Sequence, residues 1–193
     1  DQLTPLQGRV TTYQTAEVRP QVGGIVKRRV YAEGTEVKAG SVLYELDPAT
    51  YQAAYASAKA SLVKANALAK QAKLIAKRYE GLVAIKAVSQ QENDDAQASA
   101  AQTQADVALA KAALDKARIE LNYTRITSPI SGRSGKSNVT AGALLTANQV
   151  QALTTVVQLD PIYVDMTQSS SDFLALKRAI EQGGVSQSKR IPV

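Results

Sequence analysis

Two kinds of hydrophobic pattern alternate along the 193 residues. From Tyr51, small or apolar residues recur at alternating steps of four and three: Tyr51, Tyr55, Ala58, Leu62, Ala65, Ala69, Ala72, Ala76, Tyr79 and Val83. That spacing is a heptad and predicts a coiled-coil seam. The alternation resumes at Ala96, Ala100, Thr103, Val107, Ala110, Leu114, Ala117 and Leu121, so two helices are expected to face each other. Between the seams, Gly81 and the β-branched Val83, Ile85 and Val88 weaken the helix, and Ser89 followed by Glu92 reads as a capping box opening the second arm. Asp47 at the N-cap with Pro48 at the first helical position is expected to open the first arm. Each arm of about 35 residues, at ~1.5 Å rise per residue, reaches roughly 50 Å from its base.

The flanking segments carry short apolar runs broken by glycine, the pattern of β-hairpins. Before the helices these are Val22 to Val26, Val30 to Gly34, Val37 to Gly40 and Leu43 to Pro48. After them come Ile130 to Gly132, Val139 to Gly142, Leu144-Leu145 and Val156 to Pro161. Each set closes on Leu-Asp-Pro, at residues 46–48 and 159–161. Neither set buries an apolar face alone, and both meet at the base of the helical insert, so one β-sandwich built from two halves is expected. Beyond Pro161, Ile162 to Met166 alternates as a strand, and Ser169 with Asp172 opens a short amphipathic helix through Ile180. These last 30 or so residues are too few for a module unless Leu6 to Thr15 joins them, which points to a longer parent protein.

Composition narrows the functions open to such a chain. The hydrophobic fraction of 45% is inflated by alanine, with no Trp and a single Phe, so thin modules are expected rather than a thick core. Between residues 48 and 121, 23 of 74 positions are Ala. Cys and His are both absent, which removes disulfides, thiol nucleophiles, imidazole bases and the commonest zinc ligands. No apolar run approaches the ~20 residues of a membrane span, and no leader is expected within the chain. The net charge of +6 is spread along the chain without interleaved aromatics, so nucleic acid is not an expected partner.

Three local signals bear on possible chemistry. Gly135-Lys136-Ser137 ends like a phosphate-binding loop, but position 130, where the first glycine belongs, is Ile, and strand pattern follows where a helix is required. Lys27-Arg28-Arg29 reads as a solvated strand edge that discourages pairing. Asp94 and Asp95 have no catalytic companion, so no catalytic residue, cofactor or metal is expected.

Three strings of residues carry a family resemblance. Leu46-Asp47-Pro48-Ala49-Thr50-Tyr51 leads into the helices, and Thr127-Ser128-Pro129-Ile130-Ser131-Gly132-Arg133 leads out. Gln158-Leu159-Asp160-Pro161-Ile162-Tyr163-Val164-Asp165 follows, with Thr167-Gln168-Ser169-Ser170. In this order around a helical hairpin they resemble the AcrA/MexA-type periplasmic adaptors, or membrane fusion proteins, of RND tripartite efflux pumps.

The resemblance implies an α+β, multi-module, elongated fold: a split lipoyl-like β-sandwich, an inserted antiparallel coiled-coil hairpin and a partial β-barrel module. The implied division is residues 1–16 as an N-terminal contribution to the barrel, 17–47 as the first lipoyl-like half, and 48–122 as the hairpin with its tip at about 81–89. Residues 123–159 are the second half, and 160–193 begin an incomplete barrel module. It also implies location in the periplasm, a lipid anchor at the inner membrane, an RND transporter and a TolC-like channel as partners, and a ring of six adaptors. The family's tip motif, an Arg, a Leu four residues on and a Ser seven further, falls on Arg78, Leu82 and Ser89. The resemblance makes these the contact site for the outer-membrane channel.

Three further expectations complete the picture. Ala53, Ala54, Ala60, Ala98, Ala101, Ala105, Ala108, Ala112 and Ala113 lie outside the seam, which would let neighbouring hairpins pack side by side. An adaptor of an ABC or type I secretion exporter is the nearest alternative function, against which the Gln158 to Ser170 string argues. A lipoyl or biotinyl carrier would need a lysine at an exposed turn, and here the helical insert occupies the place of that turn.

Overall fold

In the computed structural model the described residues are 8–166 and 170–182. The strands are β1 (Gly8–Val18), β2 (Gly24–Arg29), β3 (Glu36–Val37), β4 (Val42–Leu46), β5 (Arg125–Thr127), β6 (Gly132–Ser134), β7 (Leu144–Leu145) and β8 (Thr154–Met166). The helices are α1 (Ala49–Ala84), α2 (Gln90–Tyr123) and α3 (Ser170–Glu181). Two four-stranded sheets run in the orders β1-β8-β6-β3 and β5-β4-β2-β7, so each sheet takes two strands from before the helices and two from after them.

The chain divides into two units, residues 16–156 and a second made of residues 1–15 with 157–193. In the larger unit, the segments entering and leaving the hairpin zip together directly beneath it. β4 pairs antiparallel with β5 through Val42↔Thr127, Tyr44↔Ile126 and Glu45↔Arg125. β2 pairs with β4 on one side and β7 on the other. The core draws on both halves: Val18, Val22, Val26, Leu43, Tyr44 and Leu46 pack with Ile126, Leu145, Leu153 and Val156. Tyr44 is fully buried, and its hydroxyl lies 2.9 Å from that of Tyr31, 2.6 Å from Ser137 Oγ and 3.1 Å from the Leu153 carbonyl to which it donates. Tyr31 belongs to the half before the helices and Ser137 and Leu153 to the half after them, so this contact ties the split module together.

The hairpin follows the expected seam closely. Along α1, burial falls on Tyr51, Tyr55, Ala58, Leu62, Ala65, Ala69, Ala72, Ala76, Tyr79 and Val83, and along α2 on Ala96 through Leu121 at the expected steps. At the base, the Tyr51 hydroxyl donates to the Gly23 carbonyl at 2.7 Å, and the Leu46 N–H to the Thr124 carbonyl at 2.8 Å.

Several expectations require correction. Pro48, not Asp47, is the N-cap of α1; Asp47 stands one residue earlier, where its Oδ1 still accepts from the Ala49 N–H at 3.1 Å. Val30 to Gly34 is a turn rather than a strand, with Gly34 at φ 74°, in the left-handed region that favours glycine. Val139 to Gly142 is likewise turn, with Gly142 at φ 88°. The second Leu-Asp-Pro closes nothing: β8 continues through Pro161 to Met166. Lys27, Arg28 and Arg29 lie on the part of β2 beyond its pairing with β7, which is confined to Gly24 and Ile25; there β2 pairs with β4 alone, Arg28 bonded to Glu45 at 2.6 Å and Arg29 to Glu33.

In the smaller unit, residues 8–15 meet the segment from Val157 to Met166. Thr11 Oγ1 donates to Asp165 Oδ2 at 3.0 Å, and the rings of Tyr13 and Tyr163 lie 5.3 Å apart. The Thr167-Gln168-Ser169 string, and with it the cap expected from Ser169, lies outside the described residues.

Candidate functional site: the tip of the helical hairpin

The far end of the hairpin is where the sequence pattern stops specifying packing. Helix α1 runs to Ala84, and the turn closes with the Lys86 N–H donating to the Val83 carbonyl and the Ala87 N–H to the Leu82 carbonyl, both at 2.9 Å. Lys86 takes φ 56°, a left-handed conformation uncommon for a residue with a Cβ. A Cβ at Gly81 would meet nothing within 4 Å, so this glycine serves no close approach.

Ser89 then starts α2 with the complete capping box predicted for it. Its hydroxyl accepts from the Glu92 N–H at 3.2 Å, while its own N–H and hydroxyl donate to Glu92 Oε2 at 2.8 and 2.9 Å. The two bonds from Ser89 hold the Glu92 carboxyl below the usual carboxylate range.

The structure brings the three residues of the tip motif to one end of the hairpin. Arg78 is exposed on α1, beside Lys70, Gln71 and Leu74 along a surface cleft of about 410 Å³. Leu82 is half-buried, one residue before the seam residue Val83. Ser89 is exposed and already bonded to Glu92, so it acts as a cap in the free chain.

Two further tip residues escaped the sequence reading. Ile85 is 73% exposed at the apex, an apolar knob that β-propensity alone marked only as a helix breaker. Asn93 continues the seam one step beyond Ala96, and its Oδ1 is buried with no hydrogen-bond partner. The three-residue step back from Ala96 was the signal for it.

The other candidates resolve simply. The Gly135-Lys136-Ser137 segment cannot cradle phosphate: the Gly135 N–H donates to the Thr155 carbonyl at 2.7 Å and the Ser137 N–H to Glu33 Oε1 at 3.1 Å. The Glu33 carboxyl is drawn below its ordinary value, first by that Ser137 bond and also by Arg29 and Lys136. Among the described residues no cluster of three or more metal-ligand side chains occurs, and no helix is long and apolar enough to cross a membrane.

Fold and tip together define a hairpin-bearing scaffold in which a β-sandwich, split in sequence, supports a long coiled coil with its unpartnered groups at the far end. The sequence family described as RND MFP, barrel-sandwich hybrid domain matches residues 14–157, and the chain belongs to it. It is 57% identical over 182 residues to the multidrug export protein AcrE of Escherichia coli (strain K12), covering 94% of this chain and 47% of AcrE. It is 55% identical over 184 residues to the multidrug efflux pump subunit AcrA of the same organism, covering 95% of this chain and 46% of AcrA. Among solved structures, a MacA-MexA chimera containing the Pseudomonas aeruginosa MexA α-hairpin domain matches with TM-score 0.61 at 36% identity, over 86% of this chain and 56% of that one. The chain spans about half the length of the curated relatives it matches.

Proposed function

We propose that the protein is the periplasmic adaptor of a tripartite RND multidrug efflux pump and works by docking, without catalysis. It bridges an inner-membrane RND transporter and a TolC-like outer-membrane channel, is held at the inner membrane by a lipid anchor, and acts as a ring of six. The lipoyl-like halves, residues 17–47 and 123–159, form the mount, residues 48–122 the arm, and the flanking residues 1–16 and 160–193 part of a barrel. The exported compounds are those of a multidrug pump, in keeping with the names of its relatives.

The observation that carries this reading is the position of Arg78, Leu82 and Ser89 together at the end of the hairpin farthest from the sandwich. Arg78 offers a fork of donors for the carbonyls and carboxylates at the channel's helical ends. Leu82 supplies an apolar knob, and Ser89 reaches the partner while capping its own helix. Neighbouring hairpins pack side by side along their exposed alanines, which adds to an alanine seam that buries little apolar surface by itself.

Replacing Leu82 or Arg78 by Asp abolishes drug resistance in cells that depend on this adaptor, while circular dichroism of the purified variant stays unchanged. Unchanged resistance with normal expression of the variants refutes the docking assignment.

A further inference from the structure

The side-by-side packing proposed above leaves open which surfaces meet, and the hairpin carries two complementary ones. A helix turns about 100° per residue, so residues one before and one after a seam position fall on opposite sides of the seam. On α1, Leu68, Ile75 and Leu82 each precede a seam residue, and Val63, Lys70 and Lys77 each follow one. On α2, Asp95, Ser99 and Asp106 precede seam residues. A cavity of about 240 Å³ touches Leu68, Ile75 and Ser99 together, so the preceding residues of both helices share one face of the hairpin.

That face is an apolar groove with an acidic border on its α2 side, while Lys64 and Arg78, which also precede seam residues, stand at the two ends of its α1 side. Leu68 and Ile75 remain 48% and 37% exposed in it, and Asp95 and Asp106 stand on its α2 side. The opposite face carries the row Val63, Lys70 and Lys77 with Lys73, and Leu74 stands at its margin; Val63 is 64% and Leu74 56% exposed. Over its length α1 has six basic residues and one acidic, a net +5, while α2 has six acidic and three basic, a net −3. These charges do not neutralise one another within the hairpin. Among the described residues the ion pairs on its helices are Lys116–Glu120 and Asp115–Arg118, both in the half of α2 nearer the sandwich, and Lys70, Lys77, Asp95 and Asp106 form none.

We infer that the occupant of the groove is a second copy of this chain, whose α1 row of Val63, Lys70 and Lys77 seats along it with both tips pointing the same way. The levels fit. The cavity centres near residue 72 on α1 and 99 on α2, so toward the tip Lys77 and Asp95 stand within about one residue, ~1.5 Å, of the same level. Asp106 lies about five residues, roughly 7–8 Å along the axis, from the level of Lys70, within reach of a lysine side chain. Different faces meet, so the contact is heterologous and each copy keeps one groove and one row free for the next. Its charge pairs fix the register and the order of neighbours more than they add affinity.

The inference rests on side-by-side packing, and the test separates the two. In cells making the full-length adaptor with its transporter and channel, Lys77→Cys combined with Asp95→Cys, the pair that stands level, gives a disulfide-linked ladder of adaptor copies under oxidation. The two positions lie on opposite faces of one hairpin, so an intrachain bond does not compete. The charge reversal K70E/K77E loses drug resistance, and adding D95K/D106K to the same chain restores it. Absence of the ladder, or failure of the second reversal to restore function, overturns the inference. If Leu82→Asp abolishes resistance while K70E/K77E leaves it intact, the charge-sorted interface alone is wrong. If Leu82→Asp is silent, it is the docking function that fails.

Discussion

Replacing Tyr44 by Phe removes one oxygen from the centre of the split sandwich and tests whether its two halves are held as one unit. The hydroxyl meets Tyr31 Oη at 2.9 Å, Ser137 Oγ at 2.6 Å and the Leu153 carbonyl at 3.1 Å. Two of these partners keep another bond: Ser137 Oγ donates to the Val139 carbonyl at 2.7 Å, and the Leu153 carbonyl accepts from the Asn138 N–H at 2.8 Å. The buried Tyr31 hydroxyl loses the one hydrogen bond it makes among the described residues. One or two net hydrogen bonds lost, with one hydroxyl stranded, cost about 2–4 kcal/mol. For a unit of this size that lowers Tm by roughly 8–15 °C in a thermal melt followed by circular dichroism.

Tyr31→Phe serves as the milder control, since Tyr44 then keeps Ser137 and the Leu153 carbonyl. The same residue sets an alkaline limit. Burial pushes the Tyr44 hydroxyl well above its ordinary range, so above about pH 10 the unfolded chain releases a proton that the folded chain retains. Stability therefore falls as pH rises past that point, and Tyr44→Phe lacks this component. A Tyr44→Phe protein that melts within about 2 °C of the parent, with the same alkaline profile, refutes the tie between the halves.

Ala76 is buried in the α1 seam, so Ala76→Glu places an unpaired charge between the helices. It is expected to cost several kcal/mol and to open the hairpin to trypsin while the sandwich stays protected, as mass spectrometry of the fragments would read. Ser89→Ala removes the cap of α2 and speeds amide exchange at Glu92, with exchange near Tyr51 unchanged. Glu92 carries a lowered pKa, so its part in the cap is full above about pH 4.3 and is lost as pH falls through the folded value. Amide exchange at residues 89–93 therefore gains protection as pH rises toward about 4.3, relative to the base-catalysed intrinsic rate, and Ser89→Ala, which keeps the backbone bond to Glu92 but not the hydroxyl's, reduces that gain.

The hairpin was legible in the sequence because its packing is periodic. One alternation of four and three names every seam residue from Tyr51 to Val83, and Ser89 with Glu92 marks the restart by local chemistry alone. Asn93 was harder to read because a polar residue occupies an apolar position, so pattern and burial disagree there. The sandwich was legible only in outline. Strands β2 to β7 are two to six residues long between their turns, too short for alternation to separate strand from turn at Val30 or Val139. The interior place of β2 depends on pairing with β7, 120 residues away in sequence, and no local signal encodes that. The charge-sorted faces of the hairpin became visible only once a shared cavity showed which sides of α1 and α2 coincide.

A photocrosslinking amino acid at position 82 of the full-length adaptor, activated in cells with the assembled pump, addresses the docking of the hairpin end most directly. The account predicts a covalent adduct with the outer-membrane channel from position 82 and none from position 27 on the sandwich. An adduct with the channel from position 27 but not from position 82 would contradict it.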